Sequence, residues 1–397
     1  MKSKYVKNTI FLLFILYSFF LSAQKNPYLF SSQIDSILAH DSSPYKYQTA
    51  SWNYSFIGDY KRSIEIKEKQ FPNAKPGKPS TEQIELFKKY TAVNAKNQIL
   101  KEAAKTRIVI INEAHYMSLH RSYLAGLLED LHGLGYNFIG FEGLSYEDSL
   151  INTRKYPVLN SGFYTVEPCF GNLIREAFRN EFSVFAYEQK YNDSLQELVG
   201  REKAQAMNIM KLMELHPQSK FVIYCGYDHA VEDTLKNFMG LPMAGQLKAL
   251  SSINPFTIDQ TQLSEYFNVG SRFRRLMEQD FDAIYIDSNG TLFNRASFPK
   301  LIDCNIYHPN TEYKFNRPTW LITKHTKFRQ IQSKIKIGFP CLVKTYLANE
   351  DINIAVPLDV IELKSPQDET AILTSKNKKH KLVVQNQKGE IQIIELR

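Results

Sequence analysis

Short apolar runs alternate with helix-like segments from Arg107 onward. The runs are rich in β-branched and aromatic residues and read RIVIINEAH, YNFIGFEG, FSVFAYE, KFVIYCGYDH and DAIYIDSNG. Each run is continuously apolar rather than strictly alternating, which is typical of strands that are covered on both faces. The pattern therefore predicts an α/β fold whose main element is a parallel sheet flanked by helices.

Two of the intervening segments have helical periodicity. The first, 118–134, holds its leucines on one broad face and ends at a pair of glycines, Gly133 and Gly135. The second, 201–215, stops before Pro217. Its apolar stripe comprises Ala206, Met207, Met210 and Met213. A methionine stripe at helical spacing indicates packed core, so we expect this helix to cover one face of the sheet.

Changes in the pattern of apolar and polar residues divide the chain into regions. Residues before the first strand look helical and peripheral, and the last stretch alternates with period two around turns, as in a small antiparallel sheet. We expect a signal peptide at 1–23, a helical N-terminal region at 24–105, an α/β domain at 106–300 with a lid insertion at about 144–169, an extension of that domain at 301–363, and a C-terminal β appendage at 364–397. The lid is expected because long connections in compact domains usually bind ligands.

The first residues predict export. Three lysines precede the apolar run IFLLFILYSFFL, which is too short to cross a bilayer comfortably, and small residues follow it before Gln24. We therefore expect a cleaved signal peptide and a periplasmic or secreted mature protein, with an uncleaved anchor as the alternative. No later stretch is apolar enough to predict a transmembrane segment in the mature chain.

Charge and cysteine content exclude some classes of function. The chain has 397 residues, 43% of them hydrophobic, and a formal net charge of +8. Three of these charges lie in the predicted leader, and a cluster near the C-terminus comprises Lys376, Lys378, Lys379 and Lys381. Such a cluster is typical of a solvated hairpin, so no nucleic-acid partner is predicted. The four cysteines form no CxxC pair, which leaves a structural zinc site unsupported. Cys225 lies in a strand and is expected to be a buried thiol, whereas disulfide pairing stays open.

Ionisable residues end the predicted strands. They are Glu113 and His115, Glu142, Glu188, Asp228 and His229, and Asp287, in strand order. Ligands bind beyond the carboxyl ends of parallel strands, because loops and helix N-termini converge there. Several carboxylates and two imidazoles at one edge suit general acid–base chemistry or a divalent metal. The sequence therefore predicts a candidate site at this edge.

Four motifs resemble the erythromycin esterase, ChaN and Tiki superfamily. They are IVIINEAHYMSLHR, FIGFEG, REKAQAMNI and FVIYCGYDH, and they occur in the family's order between about residues 107 and 230. Two positions depart from the family pattern, since Asn112 stands where Gly is usual and Gln205 where Met is usual. Outside this span the resemblance is weak.

The resemblance implies a hydrolase-like protein acting on an ester or amide bond of a small-molecule or peptide substrate. It makes His115 the general base or a metal ligand, with Glu113 as its partner and with Glu142 and His229 completing the site. The same four residues are the metal candidates, because some branches of the superfamily are metal-dependent and others are not. Residues expected to bind substrate are Arg121, Glu188, Tyr227 and Asp228.

Alternative interpretations stay open. A ChaN-like protein would bind haem through a His or Tyr ligand, and Tyr116 and Tyr227, next to the motif histidines, keep this interpretation open. A third interpretation is a non-catalytic interaction module. The cofactor is therefore unknown, with a divalent metal or haem as the candidates. Glu142 as a helix cap and His229 as a core histidine are the structural alternatives. In the predicted lid, Tyr164, Glu167 and Arg175 are further candidates for holding substrate.

Overall fold

The computed structural model describes residues 26–72, 77–190, 193–195, 200–235, 240–265, 272–294 and 301–396. The predicted signal peptide at 1–23 and its cleavage site before Gln24 lie outside these residues. Within the described part of the chain, no helix combines the length and the apolar character that a bilayer span requires.

The helices and strands follow one another along the chain. The helices are α1 (Ser31–His40), α2 (Lys46–Phe56), α3 (Tyr60–Glu68), α4 (Thr81–Phe87), α5 (Ala95–Ala103), α6 (Ser118–Gly133), α7 (Ile151–Arg154), α8 (Pro168–Arg179), α9 (Arg201–Leu215) and α10 (Met243–Ser251). The strands of the α/β part are β1 (Tyr90–Asn94), β2 (Ile108–Glu113), β3 (Tyr136–Phe141), β4 (Ser183–Ala186), β5 (Lys220–Gly226), β6 (Phe256–Asp259), β7 (Ala283–Asp287) and β8 (Cys304–Asn305). The C-terminal strands are β9 (Tyr313–Lys314), β10 (Arg317–Pro318), β11 (Thr326–Arg329), β12 (Cys341–Leu347), β13 (Asp359–Leu363), β14 (Ile372–Ser375), β15 (His380–Asn386) and β16 (Ile391–Leu396).

The central sheet is six-stranded and parallel, in the order β4-β3-β5-β2-β6-β8. All six residues of β2 are buried, as its continuously apolar pattern predicts for a strand covered on both faces. The α/β fold with a mainly parallel sheet is therefore confirmed. Strand β5 lies between β3 and β2, so three of the four motif-bearing segments meet at the middle of the sheet.

Two hydrophobic layers cover the sheet. On one face, α5, α6 and α8 supply apolar side chains such as Leu128 and Ile174. On the other face, α9 and α10 supply Ile209 and Leu247. The two helices expected from periodicity form close to their predicted bounds, and Met213 of the methionine stripe is buried in this second layer.

One predicted strand belongs to another sheet. The run DAIYIDSNG forms β7, which pairs antiparallel with β1 and not with the parallel strands. Its Asp287 accepts backbone N–H bonds from Asn289 and Thr291 in a turn, away from the predicted edge. The sheet instead continues from β2 into β6. β6 has four residues, which are too few to be recognised as a strand from the sequence. The expectation for Asp287 was wrong because strand-end position carries no information on pairing.

The N-terminal helices are not peripheral. Tyr54 and Phe56 of α2 pack in one hydrophobic cluster with Leu342 and Val360 of the C-terminal strands. A neighbouring cluster joins Ile64 of α3 to the loop that follows β2. The region at 24–105 therefore braces both the C-terminal sheet and the loop that follows Glu113.

The C-terminal β unit is larger than its sequence pattern predicted. Its four-stranded antiparallel sheet has the order β13-β12-β15-β16, so it starts at Cys341 rather than near residue 364. The boundary was misplaced because β12 is mostly buried and lacks the period-two signature of an exposed sheet. All four cysteines are buried free thiols, including Cys225 in β5.

Candidate active site

Glu113 is the last residue of β2, and each of its two carboxylate oxygens accepts two hydrogen bonds. Its Oε2 accepts from Nε of Arg121 at 2.6 Å and from the Tyr224 hydroxyl at 2.7 Å. Its Oε1 accepts from Nη2 of Arg121 at 2.7 Å, and the His115 ring lies at 2.8 Å through Nδ1. Burial favours the neutral acid, but the charge and hydrogen bonds of Arg121 outweigh it and hold the pKa of Glu113 well below its ordinary value. The carboxylate is therefore ionised.

Arg121, on the first turn of α6, has a different role from the predicted one. Its side chain is 0% exposed, and its Nη1 donates to Glu167 at 2.9 Å while Nη2 also donates to the His115 carbonyl. A guanidinium enclosed in this way cannot touch a substrate. The expectation that Arg121 binds substrate is corrected, because its N–H groups donate to Glu113, Glu167 and the His115 carbonyl.

His115 presents one ring nitrogen to the site. Because ionised Glu113 can only accept, Nδ1 of His115 donates the hydrogen bond between them, and Nε2 is the ring nitrogen on the side of Gly226. The imidazole stacks on Tyr164 with a centroid separation of 4.1 Å and meets the edge of Tyr227 at 5.1 Å. The ring is thus fixed by packing on two sides and by one charge-assisted hydrogen bond.

Glu142 follows β3 and reaches over the end of β5. Its Oε2 accepts the Gly226 backbone N–H, and its Oε1 pairs with Arg201. A Cβ on Gly226 would sit 2.6 Å from His115 Nε2 and 3.3 Å from Glu142 Oε2, so both functional atoms converge above this glycine. Burial raises the pKa of Glu142, but the charges of His229, His115 and Arg201 outweigh it, and the pKa is lowered.

A second glutamate–histidine pair completes the cluster. His229 lies in the turn after β5, with Nδ1 2.7 Å from Glu202 and Nε2 3.4 Å from Glu142. Nε2 also lies 2.9 Å from Nη1 of Arg201, a contact that requires the neutral ring, with its proton on Nδ1. Burial lowers the pKa of His229, but Glu142 and Glu202 outweigh burial and raise the pKa overall.

Glu188 positions Arg201. Its carboxylate accepts from Nε and Nη2 of Arg201 at 3.0 and 2.6 Å and from the Gln205 amide. A methionine at position 205 could not donate this hydrogen bond. Glu188, expected to bind substrate, therefore lies behind the arginine. Arg201 itself is 38% exposed and is the cation of the cluster that solvent reaches.

Three further residues, Asn112, Tyr227 and Asp228, lie in or next to the loop after β5. Asn112 donates to the Tyr227 carbonyl and to Asp259, both at 2.8 Å, which ties this loop to β2 and β6. Tyr227 has a φ of 40° and turns its ring toward His115. Burial and the nearby charge of Asp259 raise the pKa of Asp228, and the charge of His229 acts in the opposite direction.

The predicted lid contributes Tyr164 to the site. The same segment supplies Glu167, which caps α8 by accepting the Phe170 N–H at 2.8 Å. Arg175 lies elsewhere, in an ion pair with Glu350. Tyr164 is backed by Trp52 of α2 at 5.4 Å, so the N-terminal helices support the wall of the site.

The donor set does not suit a metal ion. Each oxygen of Glu113 already accepts two hydrogen bonds, and both oxygens of Glu142 are occupied. Within the described ranges, no group of three or more His, Cys, Asp or Glu side chains is arranged to hold a metal ion. Burial raises the pKa of both Tyr116 and Tyr227, the two phenols that lie beside the motif histidines.

The candidate site contains residues that strand-end reasoning missed. Arg201 and Glu202 start α9, and Tyr164 starts the short 3-10 helix Tyr164–Val166, so none of them follows a strand. Arg201 and Glu202 do open the REKAQAMNI motif, and that match was the available signal. Glu113, His115, Glu142 and His229 lie at the carboxyl ends of β2, β3 and β5, in or directly after those strands.

Gly226→Ala is expected to lower turnover by roughly 10²-fold without unfolding the protein. Its backbone has an ordinary extended conformation, but a Cβ would approach His115 Cε1 to 2.4 Å and push the ring from its place. Displacement of a catalytic group by about 1 Å costs that order of rate. Steady-state kinetics together with thermal unfolding would measure both effects.

Gly133→Ala is the matched control. A Cβ there meets nothing within 4 Å, at the last residue of α6. Turnover should stay at the wild-type level. Wild-type turnover in Gly226→Ala would show that the His115 position has no role in the chemistry.

Comparison with known proteins gives no family. No protein-family model matches the chain, and no curated protein matches it. Among solved structures, it is similar to the type III effector HopBA1 at 11% identity, covering 44% of this chain and 88% of that one, with a TM-score of 0.30. It is also similar to RRSP, a MARTX toxin effector domain from Vibrio vulnificus, at 14% identity, covering 67% of this chain and 50% of that one, with a TM-score of 0.29.

A structure described as "Bacterial protein toxins" is similar at 16% identity, covering 55% of this chain and 45% of that one, with a TM-score of 0.30. The chain thus spans about half the length of the latter two structures. At these identities and TM-scores, the likeness carries no argument about activity.

Proposed function

We propose that this protein is an exported hydrolase in which His115 activates water against an ester or amide carbonyl. The observation that carries the proposal is the Glu113–His115 pair, joined at 2.8 Å, whose carboxylate is held ionised by a buried arginine. A fixed carboxylate selects the ring tautomer and stabilises the imidazolium that forms when the ring takes a proton. Nε2 of His115 is then the base that faces the substrate side.

On the opposite side of the cluster, Arg201 and His229 are placed to act on the carbonyl oxygen and on the leaving group. In the proposed reaction, water loses a proton to His115 Nε2 and its oxygen bonds to the carbonyl carbon. The half-exposed Arg201 guanidinium, held by Glu142 and Glu188, is placed to stabilise the developing oxyanion. His229, whose pKa is raised by two glutamates, takes a proton from solvent on Nε2 when its contact with Nη1 of Arg201 is broken, and it gives that proton to the leaving oxygen or nitrogen. His115 returns the proton that it took from water to solvent.

Membership of the erythromycin esterase, ChaN and Tiki superfamily is part of this proposal. The order of the four motifs supports it, and so does the placement of Arg201 and Glu202 from the third motif beside Glu142 and His229. The proposed substrate class is a small ester or a short peptide. The basic leader and apolar run of the sequence support the proposed periplasmic or secreted location.

Glu142→Gln tests the arrangement through the pH profile. The charge of Glu142 raises the pKa of His229, so its removal should lower that pKa. If protonated His229 is the acid, the alkaline limb of the kcat profile should move to lower pH, and kcat at neutral pH should fall by roughly 10²-fold. Small esters and short peptides, each with and without Mn²⁺ or Co²⁺, are the substrates for the profile.

Glu85→Gln is the control for that experiment. Glu85 is an exposed residue of α4 in an i,i+3 pair with Lys88, so its loss should leave both rate and profile unchanged. Hydrolysis by Glu142→Gln at the wild-type rate and with the wild-type profile would remove Glu142 from the mechanism. No hydrolysis of any of these substrates by the wild type, together with a Soret band in the purified protein, would favour haem binding instead.

A further inference from the structure

Tyr164 forms an aromatic wall of the candidate active site. Its ring stacks on the His115 imidazole with a centroid separation of 4.1 Å and an interplanar angle of 16°. Trp52 and Phe163 meet the same ring in T-shaped contacts at 5.4 and 5.1 Å. A Cβ on Gly143 would lie 3.2 Å from Tyr164 Cδ2, so a glycine at that position leaves room for the ring. The phenol ring is therefore held in one position against the proposed base.

The Tyr164 hydroxyl is a hydrogen-bonding group that no described residue uses. Within the described ranges it has no hydrogen-bond partner, and its oxygen keeps solvent-accessible surface on a half-buried side chain. Two other phenols near the site differ, since the Tyr224 hydroxyl donates to Glu113 and the Tyr187 hydroxyl donates to the Tyr224 carbonyl. A phenol can both donate and accept, so the Tyr164 hydroxyl is available to a bound molecule.

The Tyr164 hydroxyl lies toward the Nε2 edge of His115. Because the two rings are nearly parallel, the phenol C–O bond runs along the imidazole plane and the hydroxyl does not point at the imidazole face. Burial raises the pKa of Tyr164, and among the nearby charges Glu142 raises it more than Glu113 does. Glu142 and Nε2 of His115 converge above Gly226, whereas Glu113 is bonded to Nδ1. The hydroxyl is therefore on the side from which His115 would take a proton.

The raised pKa also keeps the phenol of Tyr164 in its donating form. Burial and the charges of Glu142 and Glu113 disfavour the phenolate, so Tyr164 holds its proton throughout the neutral range. A hydrogen bond from a neutral O–H becomes stronger when the accepting oxygen becomes negative. In ester or amide hydrolysis that increase would occur between the bound substrate and the transition state, where it raises kcat.

The N–H groups of Arg201 are directed mainly at its own partners. Nε donates to Glu188, and Nη2 donates to both Glu188 and Glu142. Nη1 lies 2.9 Å from Nε2 of His229. The guanidinium therefore contributes positive charge to the site, but most of its donors are already engaged. A developing oxyanion is stabilised best by a fixed donor that is aimed at it and has no other acceptor.

We propose that Tyr164 is a catalytic residue whose hydroxyl donates a hydrogen bond to the carbonyl oxygen of the scissile ester or amide. This role rests on the proposed function, because it supplies a donor for the reaction in which His115 activates water. As the water oxygen bonds to the carbonyl carbon, the π electron pair of the carbonyl moves to its oxygen. Arg201 then supplies the compensating charge and Tyr164 the hydrogen bond, and the phenol keeps its own proton throughout.

Tyr164→Phe tests the hydroxyl separately from the ring. The phenylalanine ring can keep the stack on His115, and the lost oxygen contacts no described residue, so the thermal midpoint should stay at the wild-type value. Loss of one oxyanion donor should lower kcat by roughly 10²-fold, with KM changed by less than about threefold. A ring that only supports His115 would instead give wild-type kcat in Tyr164→Phe and a loss of rate only in Tyr164→Leu.

Tyr45→Phe is the matched control. Tyr45 is 64% exposed and precedes α2, so removal of its hydroxyl should change neither kcat nor KM. His115→Ala, assayed on the same substrates, separates the two proposals. An inactive His115→Ala protein beside a fully active Tyr164→Phe protein would overturn the role of Tyr164 and retain the hydrolase. Undiminished turnover in His115→Ala would instead overturn the proposed function.

Calorimetric titration tests the donor without turnover. Methyl phenylphosphonate is a tetrahedral anion, and acetophenone is a planar neutral ketone that cannot be hydrolysed. The wild type should bind the phosphonate at least about tenfold more tightly than Tyr164→Phe does, whereas acetophenone affinity should differ by less than about threefold. This titration decides the role of the hydroxyl even if the wild type hydrolyses none of the substrates. Equal phosphonate affinity of the two proteins, or no phosphonate binding by the wild type at millimolar concentration, would overturn the proposal.

Discussion

His115→Ala is expected to lower kcat by ~10²–10⁴-fold while leaving the free energy of unfolding nearly unchanged. The substitution removes the proposed base. In the wild type its Nδ1 is hydrogen-bonded to Glu113 and its ring stacks on Tyr164. The buried carboxylate keeps its three hydrogen bonds from Arg121 and Tyr224, so the main fold contacts survive. Initial rates on the substrate found by the ester and peptide screen, with urea unfolding in parallel, would measure both quantities.

Added imidazole offers a positive test of the same assignment. The alanine leaves a space between Tyr164 and Gly226 that a free imidazole can enter, and partial recovery of rate is expected if His115 is a general base. His40→Ala is the control, because His40 is an exposed residue of α1 and should affect neither rate nor rescue. A fully active His115→Ala protein would remove this residue from the chemistry altogether.

Arg121→Leu is expected to destabilise the fold by about 3–5 kcal/mol. The guanidinium is 0% exposed and pairs with Glu113 and Glu167, which are 2% and 0% exposed in their side chains. Its removal leaves two buried carboxylates without their cation. The loss should appear in chemical denaturation at pH 7 as a large decrease in the free energy of unfolding.

The pH dependence of that loss identifies its cause. Without Arg121, burial raises the pKa of Glu113, because desolvation then acts with less opposition. The native carboxyl would then bind a proton that the unfolded one has lost, so the free energy of unfolding of the variant should rise as pH falls toward 5. The deficit relative to wild type should therefore shrink, whereas a simple packing defect would give a constant deficit.

Arg179→Leu makes the same change on the surface. Arg179 is 43% exposed and pairs with Glu176 at i,i+3 spacing on α8. Its loss should cost less than about 1 kcal/mol at every pH. Equal losses for the two variants would contradict the role assigned to Arg121.

Much of the fold could be predicted because its patterns are local. The leucine face of α6 and the span of α9 follow from helical periodicity and from the glycines and proline that end them. The buried strands β2 and β5 are long enough to be recognised as continuous apolar runs. β6 was missed because four residues carry too little pattern, and β7 was assigned to the wrong sheet because pairing depends on distant partners.

Part of the candidate site could also be predicted, because some of its residues belong to local sequence patterns. Glu113, Glu142 and His229 could be chosen because each follows a recognisable strand. Glu202 could not be chosen in this way, since it reaches His229 from the first turn of a helix. Arg121 was assigned to the substrate because of its place after the first motif, and the sequence does not show the two carboxylates that enclose it.

The sequence by itself determined the secondary-structure segments, the α/β class and the chemical groups at the strand ends, because these depend on residues close along the chain. Only the tertiary structure decided that β5 inserts between β3 and β2, which brings Glu142 and His115 together above Gly226. It also decided that the N-terminal helices support Tyr164 through Trp52. Strand order and helix docking are set by burial of surfaces that lie far apart in the chain, and no local pattern encodes them.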